Sequence, residues 1–195
     1  MRIGIDLDDV LVDFISEFTN IASALYGIDR NLKPVDWDWS NYGLSKEQNA
    51  EIWEEIKIAY NFWEYLRPAE GANPNSIQAL KALPNVDLVF ITARATTLGD
   101  TVQYQSALWL DRKMGMQYPT VIVDNNKGPI AAALKLDYFV DDRPKNCLEI
   151  MQAVPGCKVF LKDSSHNLSY VAPPELPRVR DFDEFVRIVV KNEQV

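Results

Sequence analysis

The chain has 195 residues, 47% of them hydrophobic and 25% charged, a balance that fits one ordinary folded domain with or without a modest insertion. Its formal net charge of −8 argues against a protein that tracks polymeric nucleic acid, because such affinity comes from clustered lysine and arginine. No apolar run approaches the ~20 residues that span a bilayer, and the strand-like start shows no signal peptide. Two cysteines, Cys147 and Cys157, are too few for a disulfide framework and lack metal-ligand spacing, so a cytoplasmic protein is expected.

In chain order, RIGIDL (2–7) reads as a buried strand that runs into DDVLVDF, which places Asp6, Asp8, Asp9 and Asp13 in or just after a segment of Ile, Leu, Val and Phe. LVDFISEFTNIASALYG (11–27) carries Phe14, Phe18, Ile21 and Leu25 at helical spacing and Gly27 as a stop. LSKEQNAEIWEEIKIAY (44–60) opens with the capping-box pair Ser45 and Gln48 and continues through Ile52, Ile56 and Tyr60. NPNSIQALKAL (73–83) puts Pro74 at a first helical position. VDLVFIT (86–92) is a strand, and LGDTVQYQSALWLDRKMG (98–115) is a helix closed by Gly115. PTVIVD (119–124) is the next strand, and DNNKGPIAAA (124–133) sets Lys127 just ahead of a helix. DYFVD (137–141) and CKVFLK (157–162) are strands flanking a helix that starts at Pro144 and stops before Pro155. YVAPPELPRVR (170–180), with three prolines, reads as an extended surface stretch, and FDEFVRIVVK (182–191) as a closing helix.

Strand and helix in alternation predict an α/β fold with a parallel sheet and right-handed crossovers. About 75 residues separate the first two strands, far more than one crossover needs. Residues 15–72 are therefore read as a small helical cap inserted above a core of residues 1–14 and 73–195. The insertion is rich in aromatics: Trp37, Trp39, Tyr42, Trp53, Tyr60, Phe62, Trp63 and Tyr65. Of these, Trp53 and Tyr60 are expected in the core.

Alternate strand residues share a face, so Asp6 and Asp8 point the same way and leave the core only where the strand ends. Ligands of open α/β sheets bind at that carboxyl-terminal edge. Asp141 and Asp142 end another apolar run there, and several carboxylates with ordinary pKa values near 3.9 would repel one another at neutral pH. A hard divalent cation relieves the repulsion, and oxygen-only ligands point to Mg²⁺. Thr92, at the end of FIT, offers a hydroxyl to a phosphate oxygen, and Lys127 ahead of its helix favours an anion. The set suits phosphoryl transfer.

The order of these motifs resembles the haloacid dehalogenase superfamily of phosphohydrolases: DLDDV for D-x-D-x-[TV], Thr92 after a strand, Lys127, then the acidic pair. Within it the chain is most similar to the 5′(3′)-deoxyribonucleotidases, through DLDDVLVDF, NFWEYLRPAEGA (61–72), FVDDRP (139–144) and the late SSHN (164–167). The resemblance implies a Rossmann-like core with a helical cap and a Mg²⁺-dependent enzyme acting on a small phosphate ester, a nucleoside monophosphate. It implies Asp6 as nucleophile and Asp8 as general acid and then base. Asp6, the Asp8 carbonyl and the acidic pair would hold Mg²⁺, with Asp142 preferred over Asp141 as the direct ligand. Thr92 and Lys127 would grip the phosphate, aided by the Asp9 and Ala93 backbone, and Phe62 and Trp63 would contact the base.

Two positions depart from the family pattern. Asp9 stands where the family usually has glycine, and Thr92-Ala93-Arg94 replaces T-S-P, which leaves Arg94 to offset Asp9 or touch the substrate. The Asp9 and Asp13 side chains are read as structural or electrostatic, and His166, the single histidine, as a surface or loop residue. A homodimer is left open. Two other readings remain: a phosphatase of the same superfamily for another small phosphate ester, and a receiver-like phospho-acceptor domain. A Ca²⁺ loop fails, because Val10 and Leu11 stand where a ligand and glycine are required.

Overall fold

A computed structural model of the chain describes residues 1–194. Six strands form one parallel sheet in the order β3-β2-β1-β4-β5-β6, namely β1 (Arg2–Ile5), β2 (Asp87–Thr92), β3 (Thr120–Val123), β4 (Tyr138–Asp141), β5 (Lys158–Lys162) and β6 (Arg178–Val179). Helices α3 (Pro74–Lys81), α4 (Val102–Met114), α5 (Lys127–Leu134), α6 (Pro144–Ala153) and α7 (Phe182–Glu193) connect or follow these strands, as the hydrophobic periods predict. The central strand β1 pairs with β2 on one side and β4 on the other, so the two acidic strand ends are neighbours. Gly4 permits this packing, since a Cβ there would lie 2.5 Å from the Leu136 side chain and 2.7 Å from that of Phe139.

The extended stretch 170–180 is not wholly irregular. Arg178 and Val179 add a short parallel edge strand to β5, with Val179 buried. The prolines confine pairing to these two residues, because proline has no N–H to donate.

Between β1 and β2 lie α1 (Phe14–Tyr26) and α2 (Lys46–Ile58), with 3₁₀ turns at Ser40–Tyr42 and Phe62–Glu64. Asp13 caps α1 by accepting from the Ser16 N–H at 3.1 Å, and Ser45 with Gln48 closes the expected capping box on α2. Phe18 stacks on Trp39 with centroids 3.9 Å apart, and these rings join one apolar cluster with Ile3, Ile5 and Phe90 of the sheet. The return segment is tied down by main-chain bonds from Asp13 N–H to the Arg67 carbonyl and from Ala69 N–H to the Leu11 carbonyl, both 2.8 Å. Two core expectations are corrected. Tyr60 is 71% exposed just beyond the end of α2, and Leu25 also faces solvent in the last turn of α1. In both places the helical stripe outruns the partner surface below it. Trp53 is half-buried and packs on Phe14 at 5.6 Å.

Candidate active site

The site begins where β1 stops. Asp6 keeps the sheet ladder through its N–H to the Val140 carbonyl at 3.0 Å, and the chain then folds over itself, with the N–H groups of Leu11 and Val12 donating to the Leu7 carbonyl at 2.9 and 2.8 Å. Asp9 makes the reversal at φ +57, a left-handed conformation that glycine adopts freely and aspartate tolerates. This accounts for glycine being the usual residue there. The Asp9 N–H donates to the Val12 carbonyl at 2.6 Å, so the expected phosphate contact from this N–H is already taken. One Asp9 carboxylate oxygen accepts from the Ile15 N–H at 3.1 Å.

Lys127, the first residue of α5, is 1% exposed, and its Nζ donates to Asp6 Oδ1 at 2.5 Å and Asp141 Oδ2 at 2.7 Å. Lys135, the residue that caps the other end of that helix, is exposed. Asp141 also accepts from the Arg143 N–H at 2.8 Å and from Asn146 Nδ2 at 3.0 and 3.1 Å. Neither Asp142 oxygen has a hydrogen-bond partner among the described residues. Asp6, Asp141 and Asp142 each present an oxygen to a point where the three atoms lie within 4.8 Å of one another.

This crowding shows in the acid–base balance. Burial raises the Asp6 carboxyl well above the ordinary range; Lys127 opposes the rise, and the Asp141, Asp142 and Asp8 charges add to it. Burial raises Asp142 likewise, with Asp141 adding. For Lys127 burial acts downward, but the Asp141 and Asp6 carboxylates outweigh it and hold the ammonium above its usual value. One lysine thus faces three buried carboxylates, a set with room for a further cation. Hard oxygen donors with two free lone-pair oxygens on Asp142 fit a Mg²⁺ ion.

Thr92, at the end of β2, is fully buried with its hydroxyl unpartnered. Two residues on, Arg94 clamps Asp8 in a fork, with Nε 3.1 and 3.0 Å from the two carboxylate oxygens and Nη2 2.8 Å from Oδ1. Its Nη1 donates to Ser106 Oγ at 2.9 Å, and the guanidinium lies 4.8 Å from the Trp63 ring centroid. Of the two alternatives left for Arg94, the structure shows no contact with Asp9: the guanidinium pairs with Asp8 and lines the cavity.

These groups floor a cavity of ≈350 Å³ lined by Asp6, Asp8, Ala93, Arg94, Lys127 and Asp142. The wall comes from Phe14, the first residue of α1, and from Trp37, Trp39, Trp53 and Trp63 of the insertion. Trp63 is held by its indole N–H to the Ala95 carbonyl at 2.8 Å. Phe62 does not line the cavity. It is buried edge-on against Trp63, with centroids 4.9 Å apart at 84°. Trp37, Trp39 and Asn49 line the cavity although no motif singled them out, and Arg143 of the FVDDRP stretch lines it too. A usable signal for the two tryptophans was their place in the loop PVDWDWS (34–40), where an aromatic has no helix face to serve. His166 is not a surface residue: it is 6% exposed in the 3₁₀ turn Ser165–Asn167, its ring 4.0 Å from that of Trp37. Burial lowers its pKa to about 4, so the imidazole is neutral at neutral pH.

A parallel sheet with this strand order, acids at adjoining strand ends and a helical insertion after β1 make up the fold seen in haloacid dehalogenase-like hydrolases. Among solved structures, the D,D-heptose 1,7-bisphosphate phosphatase of B. bronchiseptica, complexed with magnesium and phosphate, superposes with a TM-score of 0.56 at 13% identity, covering 98% of both chains. The L-2-haloacid dehalogenase of Xanthobacter autotrophicus also gives 0.56, at 10% identity and 96% and 97% coverage. Residues 1–194 match the family model described as 5′ nucleotidase, deoxy (pyrimidine), cytosolic type C, and the chain belongs to that family. A nucleotidase of Clostridium acetobutylicum is 27% identical over 176 residues, 86% of this chain and 82% of that protein. A Bacillus cereus protein provisionally assigned as a nucleotidase is 24% identical over 210 residues, 98% and 100% of the two chains. The chain is thus a phosphoric monoester hydrolase of the nucleotidase type, not a receiver-like domain. No helix among the described residues is long and apolar enough to cross a membrane.

Proposed function

We propose that the chain is a Mg²⁺-dependent cytoplasmic 5′-nucleotidase that removes phosphate from nucleoside monophosphates, deoxyribonucleotides included, through an aspartyl-phosphate on Asp6. The observation that carries this reading is the Asp6–Lys127–Asp141 chain beside the unpartnered Asp142 carboxylate, at the floor of a tryptophan-lined cavity.

In the first step an Asp6 oxygen bonds to phosphorus while the bond from phosphorus to the nucleoside oxygen breaks, and Asp8 gives that oxygen its proton. In the second, Asp8 takes a proton from water, whose oxygen displaces Asp6 and releases orthophosphate. Lys127 and the Thr92 hydroxyl hold phosphate oxygens, with the Ala93 backbone beside them. Asp142 and Asp6 would ligate Mg²⁺ with the Asp8 carbonyl, while Asp141 spends its oxygens on Lys127, Arg143 and Asn146. When bound, the ion supplies positive charge against the phosphate. Arg94 holds the Asp8 carboxylate toward the cavity. Residues 15–72 form a cap on the core of residues 1–14 and 73–195; the cap excludes water and its tryptophans stack on the base.

A panel of ribo- and deoxyribonucleotides, sugar phosphates and p-nitrophenyl phosphate, assayed with Mg²⁺ and with EDTA, tests the reading. Nucleotide turnover that EDTA abolishes is expected. No preference for nucleotides over the other esters would overturn the substrate class, and undiminished turnover in EDTA would overturn the metal.

A further inference from the structure

We propose that Asp9, Asp142 and His166 form a second divalent-cation site, of mixed nitrogen and oxygen ligands, that shares Asp142 with the Mg²⁺ site. It rests on the reading above only through that shared carboxylate.

The ligand atoms of the three residues lie within 4.8 Å of one another, and Asp9, Asp142 and His166 are 4%, 1% and 6% exposed. Four of their atoms, namely Asp9 Oδ2, both Asp142 carboxylate oxygens and His166 Nε2, have no hydrogen-bond partner among the described residues. Buried polar atoms are nearly always paired, and orphaned atoms on three residues whose ligand atoms lie within 4.8 Å of one another call for a common occupant. His166 Nε2 is 2.8 Å from Asp142 Oδ2, yet not aligned as a hydrogen bond. That spacing suits neighbouring donors on one ion, since metal–ligand bonds of ~2.0–2.2 Å place adjacent donors ~3 Å apart. An ion on Asp6 and Asp142 alone would leave Asp9 Oδ2 and His166 Nε2 unpaired.

The remaining atoms of these residues are used in ways that aim the free ones. Asp9 Oδ1 is fixed by the Ile15 N–H, which leaves Oδ2 as its free oxygen. His166 Nδ1 pairs with Ser164 Oγ at 3.1 Å, an outer contact that leaves Nε2 as the open nitrogen. Asn167 Nδ2 holds the Asp142 carbonyl at 2.7 Å. Trp37 covers the imidazole, with Arg143 4.3 Å from the Trp37 ring centroid. One neutral imidazole with two carboxylates suits a first-row ion such as Mn²⁺ or Zn²⁺ better than Mg²⁺, which favours oxygen and keeps its waters. Occupied, the site would pin the Asp9 turn to the loop after β5 and fix the Asp142 carboxylate.

The test is equilibrium dialysis of the metal-stripped chain against MnCl₂, with bound metal counted by elemental analysis and imidazole ligation read as ¹⁴N coupling in pulsed EPR. Two Mn²⁺ per chain are expected, one of them nitrogen-coupled. His166→Gln and Asp9→Asn should each keep one ion without the coupling, and Asp6→Asn should keep the coupled one. Circular dichroism checks each variant's fold, and Asp9→Asn answers for His166→Gln if that variant fails to fold, since asparagine tolerates the positive φ. A single uncoupled ion that Asp6→Asn removes would overturn this site and leave the proposed function standing. A single coupled ion that survives Asp6→Asn would support this site and overturn the Mg²⁺ assignment. No bound Mn²⁺ would overturn both, and two ions without nitrogen coupling would overturn this site.

Discussion

The floor and the wall of the cavity are built on different principles. The floor is charged and directional: Asp6, Asp8, Asp141, Arg94 and Lys127 are joined by contacts of 2.5 to 3.1 Å, anchored to strand ends or the start of α5. The wall is aromatic, made of rings in contact with one another at 4 to 6 Å and hung largely on one insertion. A misplaced charge in a buried site costs several kcal/mol, whereas a ring can be exchanged for another of similar volume at modest cost. On the proposed function the floor fixes the chemistry, and the wall is the part free to set selectivity.

The largest break in that contrast should come from Asp6→Asn. Loss of the proposed nucleophile is expected to lower kcat by at least about 10³-fold while the fold survives, because the amide keeps the shape and removes a carboxyl that burial disfavours in its charged form. Steady-state kinetics beside circular dichroism checks both halves. Near-normal turnover by the pure variant would remove Asp6 from the role. Arg94→Ala comes next. It frees Asp8 from its fork, and a loss of roughly 10²-fold in kcat is expected, with KM little changed. Arg94→Lys should recover little, because an ammonium cannot make the two-pronged contact.

The difference between floor and wall is also a difference in what the sequence made legible. A strand that ends in acids must turn them outward, so Asp6, Asp8 and the 141–142 pair were readable from a period of two and a run of β-branched residues. Lys127 was readable from its place ahead of a helix. Asp9 was readable only as a departure, and its φ of +57 supplies the reason. Arg94 pairing with Asp8 was not readable, since the partners are 86 positions apart and nothing local favours Asp8 over Asp9. In the wall, helical spacing assigned Tyr60 to the core, but spacing says nothing of where the underlying surface ends. Phe62 and Trp63 are adjacent in the chain, and one residue of register decides which ring meets the cavity.

Trp53→Ala tests the wall directly. Its ring lines the cavity, and stacking on a base contributes ~1–3 kcal/mol, so KM for nucleotides should rise roughly 10-fold. The same variant should leave p-nitrophenyl phosphate turnover nearly unchanged. An equal loss on both substrates would mean that the wall shapes the floor rather than the selectivity.

Stability against pH probes the floor without substrate. Asp6, Asp9 and Asp142 all have carboxyls raised by burial, so between their unfolded values near 3.8 and their higher folded values the folded chain binds more protons than the unfolded one. Their contribution to stability is then fullest at low pH and is lost as pH rises through that window. In EDTA these groups should lower Tm between pH 5 and pH 8, and Mg²⁺ should raise Tm by more at pH 8 than at pH 5. About 1 kcal/mol moves Tm by roughly 2–4 °C in a chain of this size, so differential scanning calorimetry resolves the effect. A Tm response to Mg²⁺ that is the same at both pH values would mean the floor carboxylates do not receive the ion.

The smallest expected effect is the most discriminating for the wall. Phe62 lies edge-on against Trp63 and outside the cavity lining, so Phe62→Leu should act on packing alone. Loss of an edge-to-face pair and a modest volume change together cost about 1 kcal/mol of stability. KM for nucleotides should stay within about twofold. Its neighbour behaves differently: Trp63 bears the Arg94 guanidinium on its face and donates to Ala95, so Trp63→Leu should raise KM and lower kcat together. A Phe62→Leu variant whose KM rises as steeply as that of Trp53→Ala would show that the ring turns into the cavity when substrate binds, and that this stretch of the wall rearranges around the ligand.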